Sequence, residues 1–218
     1  KLYGVFEIAG VVQLMVYAIF LKYVELSQNK TVMTMYDEKY SLKYLSLTYG
    51  EIINKEDLVK YVVEVLKEFG VDGYAVNNSL ESLLNKANNK TVKRIFSEIN
   101  QIDLPVGLFY ALAVYLLYKL TYLRGKEAGY VPNISICKLE SALLDCRENM
   151  TVYDGFCGSS ISVNEVAGNK GVVFFQDMDV NTIAIATIVT VLNETKIGKI
   201  GCGDSQLSPL SSDKYDIV

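Results

Sequence analysis

The chain has 218 residues, half of them hydrophobic and 21% charged, with only three Pro. It is long enough to bury a substantial core and too apolar to be a disordered or linker-dominated chain. A net charge of -4 and a pI near 5.0 leave no basic excess to neutralise phosphates, so no nucleic acid partner is expected. The absence of histidine excludes Ser-His-Asp and Cys-His nucleophile systems, imidazole metal sites and the commonest general base.

In chain order, residues 2–26 predict a helix that is apolar nearly all round, a pattern that buries every face. Its uncharged core, Ile8 to Leu21, falls short of the roughly 20 apolar residues a membrane span needs. Residues 32–49 alternate and are rich in Tyr and Thr, which fits either a hairpin turning at Asp37-Glu38-Lys39 or a continuation of the first helix. Asn54 then caps an amphipathic helix with Leu58, Val62, Val65, Leu66 and Phe69 on one face, and Gly70 ends it. A second helical stretch starts at Asn78 with Glu81, carries Leu80, Leu83, Leu84, Ile95, Phe96 and Ile99, and breaks near Asn88-Asn89. Asp103 and Pro105 open a helix over Leu104–Arg124, whose Tyr110, Tyr115, Tyr118 and Tyr122 suit packing against protein better than lipid.

From Tyr130 the composition changes. Ser160–Val166, Val172–Gln176 and Ile183–Leu192 are rich in β-branched residues and separated by Gly, Asn and Asp clusters, as in a small antiparallel domain. The expected fold class is therefore α+β: a long apolar N-terminal helix with its extension (1–48), a helical region (49–128) and a disulfide-bonded β-rich domain (129–218).

Two further patterns point to export. Asn29, Asn77, Asn89, Asn133, Asn149 and Asn193 each begin an N-x-S/T glycosylation acceptor, where 14 Asn and 25 Ser or Thr supply only about 1.6 by chance. Cys137, Cys146, Cys157 and Cys202 are confined to the last third, an even set that reads as two disulfides; Cys137 is expected to pair with Cys146 or Cys157, with Cys202 closing the long loop. The opening Lys1-Leu2-Tyr3, without Met, adds an expected processed N-terminus. Were Leu104–Tyr118 a single membrane crossing, the two halves of the acceptor set would lie on opposite sides, so that helix is expected not to cross.

Recognisable site chemistry is sparse. Gly198–Gly203 (GKIGCG) reads as a turn beside a cystine and not as a phosphate loop. Asp177, Asp179 and Asn181 match the opening of a calcium loop, but Thr182 stands where Gly is expected and Ile188 where a bidentate Glu is needed, so a solvated turn is the reading. No catalytic residue, cofactor or metal ligand is expected. Glu7, a carboxylate near the start of an apolar helix, sits at a membrane interface or pairs with Lys1 or a neighbouring subunit's α-amino group, setting register.

The stretch KLYGVFEIAGVVQLMVYAIFLKYVEL resembles the mature N-terminus of type IV pilin-like proteins, especially archaeal surface filament subunits. That resemblance implies a leader peptidase, a helix from Leu2 to about Leu26 that anchors in the membrane during biogenesis and then forms a filament core, and Glu7 as the acidic assembly residue. It implies a non-enzymatic, extracellular structural subunit, partnered by copies of itself and by N-linked glycans. A membrane-anchored surface ectodomain for adhesion or recognition, or a virion protein, is the alternative.

Overall fold

A computed structural model describes residues 8–28, 30–124, 131–210 and 214–218. The first half is helical: α1 (Ile8–Leu26), α2 (Lys30–Met35), α3 (Leu42–Thr48), α4 (Lys55–Lys67), α5 (Tyr74–Lys86), α6 (Asn89–Asn100) and α7 (Phe109–Arg124). After α8 (Ile134–Leu144) strands and helices alternate: β1 (Thr151–Asp154), α9 (Ile161–Ala167), β2 (Val172–Asp177), α10 (Val180–Leu192) and β3 (Lys196–Cys202).

Helix α1 is long and apolar enough to cross a membrane, but 72% of its most apolar window is buried by the rest of the chain. It packs on α6, α7 and α10, and Tyr17, Ile19 and Phe20 are all within 1% of complete burial. The polar residues of its last turns find protein partners. Lys22 donates to Asn100 at 3.3 Å and pairs with Glu25 at 3.7 Å, while the Tyr23 hydroxyl donates to Glu194 at 3.1 Å. Glu7 lies outside the described residues.

The amphipathic helices follow their caps. The Asn54 side chain accepts from Asp57 N at 2.8 Å to start α4, Gly70 takes a left-handed φ of 74° after it, and Asn88 accepts from Thr91 N to start α6. Helix α5 begins at Tyr74, a turn before Asn78, and α7 begins at Phe109, because Pro105 is extended and a single 3-10 turn intervenes. Residues 32–49 form neither the hairpin nor a continuous helix: Asp37 caps a turn at Glu38–Tyr40 and Ser41 caps α3.

The C-terminal part corrects the expected architecture. The fold is α+β and mostly helical, but its three strands are parallel, in the order β1-β2-β3, and hold no cystine. The stretches taken as strands at Ser160–Val166 and Ile183–Leu192 are helices α9 and α10. Every residue of α10 from Ile183 to Leu192 is buried, so it shows no polar stripe to betray its period. Its threonines turn their polarity inward, Thr187 Oγ1 donating to Ile183 O and Thr190 Oγ1 to Ala186 O, both at 2.8 Å. The helices α9 and α10 supply the crossovers of a dozen or more residues that parallel pairing requires. The GKIGCG stretch is most of β3, not a turn.

Helix α10 is the hinge of the packing. It lies against β2 and β3 on one side and against α5 and α1 on the other, so the helical part and the sheet share one apolar core. The opposite face of the sheet carries Tyr153, Phe174 and Gln176. The C-terminal segment covers it, with Tyr215 stacked on Tyr153 at 4.7 Å between centroids and tilted on Phe174 at 5.1 Å. That segment then returns to the free edge of β1. Ile217 pairs with Val152 in parallel, Tyr153 N donating to Ile217 O at 2.9 Å and Ile217 N to Thr151 O at 3.1 Å.

Candidate functional site

The chain runs outward from β1 to β2 to β3 and then jumps back to the other edge of β1. Strand order therefore reverses at β1, and the crevice beyond the carboxyl ends of the strands at such a reversal is where open α/β sheets bind ligands. Three acidic loops meet there: Asp154 ends β1, Asp177 ends β2, and Asp204 follows β3.

The loop after β1 reads Asp154-Gly155-Phe156-Cys157-Gly158-Ser159-Ser160. Asp154 accepts from Phe156 N at 3.0 Å, Cys157 N donates to Gln176 O at 3.0 Å, and Gly158 N donates to Asp177 Oδ2 at 3.1 Å. Gly158 has φ of 52°, a left-handed turn that favours glycine. At Gly155 a Cβ would lie 3.0 Å from both the Ser205 and Tyr153 hydroxyls, so this loop and the one after β3 press directly together. The Asp177 carboxylate also accepts from Asp179 N at 3.0 Å, and the Asp177 carbonyl accepts from Gly203 N at 2.9 Å. Asp204 in turn accepts from Gln206 N at 2.9 Å.

A pocket of about 440 Å³ opens beside the end of β1, bounded by Glu140, Asp154, Gly155, Phe156, Ser205 and Val218 among others. Glu140 Oε2, from α8, accepts from Ser162 Oγ at 2.5 Å. Burial, then the Asp177 and Glu140 charges, push the Asp154 carboxyl above its ordinary range. Burial chiefly pushes the Cys157 thiol upward too, with Asp154 and Asp177 adding to the shift, so it is not an activated nucleophile. The corner as a whole is short of positive charge and rich in acceptors.

The residues singled out from the sequence lie mostly elsewhere. Cys137, Cys146 and Cys157 are buried free thiols and Cys202 is an exposed one, which corrects the expected pair of disulfides: three of the sulfurs are packed as small apolar groups. Asp179 caps α10, accepting from Thr182 N at 3.0 Å and Asn181 N at 3.3 Å, and the described residues hold no cluster of three or more metal-ligating side chains. Of the glycosylation candidates, Asn29 lies outside the described residues. Asn77 is half-buried on α5, and Asn89 opens α6 in an exposed position. Asn133 caps α8 by accepting from Ser135 N at 2.9 Å, Asn149 is exposed with φ of 63°, and Asn193 ends α10 and donates to Thr195 Oγ1 at 2.8 Å. At Asn193 the third residue's hydroxyl is the hydrogen-bond partner, whereas Asn133 accepts from a backbone N–H that any residue but Pro would supply.

No family model matches the chain, and no curated protein matches it. Among solved structures it is similar to the type I restriction-modification system methyltransferase subunit from Streptococcus thermophilus, with a TM-score of 0.57, 14% identity, and coverage of 95% of this chain and 55% of that one. The likeness is one of fold. The chain spans about half the length of that structure.

This finding corrects the expectation of a non-enzymatic pilus-like subunit: the fold is shared with a methyltransferase subunit. The pilin and glycoprotein descriptions have no support from it. The acid-and-glycine loop at 154–158, with acidic residues at the ends of the next two strands, is the feature the sequence reading passed over. Its signal was present: an Asp closing a short β-branched run, two Gly within four residues, and another Asp 23 residues on.

Proposed function

We propose that this chain is the methyl-donor-binding part of a methyltransferase, holding S-adenosylmethionine across the carboxyl ends of β1, β2 and β3. The observation that carries this reading is the meeting of Asp154, Asp177 and Asp204 at the point where strand order reverses. The likeness in fold to a methyltransferase subunit supports the reaction class, and the acceptors of the corner support the choice of ligand.

The donor offers ribose hydroxyls, an exocyclic amine and an ammonium, all of which donate hydrogen bonds, and its sulfonium is cationic. The corner supplies carboxylate acceptors to match. Each oxygen of Asp177 accepts one backbone N–H, which leaves lone pairs for a ligand. Asp177 stands 23 residues after Asp154, near the spacing at which the acidic residue of nucleotide-binding βαβ units meets a ribose. A dinucleotide is disfavoured by the same chemistry: its pyrophosphate would face Glu140, Asp154 and Asp177, and the loop has only Gly155 and Gly158, with Tyr153 at the first glycine of G-x-G-x-x-G. Bound there, the donor would supply the methyl group. Asp177 and Asp204 would fix its nucleoside, and Asp154 with Glu140 would favour its cationic end.

Calorimetric titration of the 218-residue chain with S-adenosylmethionine tests the reading, with NAD as the competitor. Saturable binding of the donor that NAD does not displace supports it. Binding of NAD in preference, or of neither, contradicts it.

A further inference from the structure

Behind the acidic corner, on the sheet face away from α9 and α10, Gln176 is 4% exposed and fully committed. It occupies the middle strand one residue before Asp177. The Tyr153 hydroxyl on β1 donates to its Oε1 at 3.2 Å, and its Nε2 donates to Gly203 O at 3.2 Å and to Ser208 O at 2.9 Å. One side chain thus ties the first strand to both ends of the loop that carries Asp204.

We infer that Gln176 is a positioning residue for the donor site, its carboxamide setting where the Gly203–Ser208 loop, and so Asp204, stands relative to Asp154. This rests on the donor-binding reading and adds to it a residue that touches no ligand. The geometry asks for a carboxamide. A group placed here must accept from a phenol on one side and donate twice on the other, and only an uncharged amide of this length does both. Among the described residues the loop has few other ties to the sheet: Gly203 N donates to Asp177 O and the Ser205 hydroxyl lies beside that of Tyr153, while its remaining hydrogen bonds are internal, from Ser208 N to Asp204 O at 2.8 Å and from Gln206 N to Asp204 Oδ1 at 2.9 Å. Those internal bonds fold the loop on itself without fixing it to the sheet. The packing of Ser205 against Gly155 then depends on Gln176, and with it the gap between the first and third acidic loops.

The test uses the full 218-residue chain with two substitutions, Gln176→Leu and Gln176→Glu, each alone and combined with Asp204→Asn. Affinity for S-adenosylmethionine is read by calorimetry, and amide exchange over residues 203–208 by mass spectrometry. Gln176→Leu strands two carbonyls and a phenol; Gln176→Glu keeps the size and removes the amide N–H donors. The expected result is a loss of affinity of about tenfold or more for each, with faster exchange confined to the 203–208 loop. Adding Asp204→Asn should then cost little more, because the two residues act through one loop and their effects do not add. A general packing defect would instead speed exchange across the whole sheet and leave the two effects additive. Donor affinity within about twofold of the parent for Gln176→Glu, or additive losses, would overturn the inference while leaving the donor site intact. Failure of the parent chain to bind the donor would bring down both.

Discussion

Gly158 N donates to the Asp177 carboxylate at 3.1 Å, so the loop after β1 is held by the residue that ends β2. Asp177 shapes the glycine loop, and in the proposed donor site it would also present acceptors to the ligand. Replacing it with Ala removes both, and donor affinity should fall by about tenfold or more. Asp177→Asn keeps an oxygen for Gly158 and should fall less. Calorimetry on the two variants checks the order.

The Asp154 carboxyl illustrates a conflict between stability and binding. Its native pKa is raised above the ordinary 3.8, by burial first and then by the Asp177 and Glu140 charges. The folded state therefore binds this proton more tightly than the unfolded state. Its contribution to stability is present at low pH and is lost as pH rises from 3.8 through the raised value. Asp154→Asn keeps an oxygen for Phe156 N and escapes the penalty, so it should melt higher than the parent at neutral pH. That advantage should shrink as pH falls through the same window, while donor binding is lost by about tenfold or more at every pH where the parent binds. Paired melting curves across pH, with calorimetry at neutral pH, test both halves.

At Gly155 the constraint is space. A methyl group there would stand 3.0 Å from the Ser205 and Tyr153 hydroxyls, so Gly155→Ala should destabilise the protein by about 1–3 kcal/mol through overpacking. Urea unfolding measures this. A change within experimental error would mean that the two loops do not press together as described.

The thiols give a test of the cystine correction. Cys202 is exposed, whereas Cys137, Cys146 and Cys157 are buried. In the native protein an alkylating reagent should modify Cys202 first, and the other three only on unfolding. Peptide mapping reads the order, and any cystine found without prior oxidation would reinstate the disulfides.

Helix α1 makes the corresponding prediction for the core. Phe20 is fully buried among protein side chains, so Phe20→Ala should cost about 3–5 kcal/mol. Were α1 instead an anchor held apart from the rest of the chain, the substitution would leave the unfolding transition unchanged.

The helical half was readable because its helices are amphipathic and punctuated. Asn54, Gly70 and the Asn88 break each announce an end, and Leu58, Val62, Val65 and Leu66 mark the buried stripe between. The sheet half was not, because α10 is buried on every side and spelled with Ile, Thr and Val, which a strand would also use. Once α10 is taken for a strand, the parallel order and its reversal at β1 vanish, and with them the reason to compare Asp154, Asp177 and Asp204. At Asn193 the side chain donates to the Thr195 hydroxyl two residues on, a local turn contact that shares the spelling of a glycan acceptor. Length and hydropathy alone cannot separate a core helix from an anchor; α1 packs on α6, α7 and α10 and most of its apolar window is buried.

A crystal structure of the chain grown with S-adenosylmethionine tests the central claim most directly. Electron density for the donor is predicted over the carboxyl ends of the three strands, with polar contacts to Asp177 and Asp204 and its cationic end toward Asp154. Density seated away from that corner, or a corner left empty at saturating donor, would contradict the account.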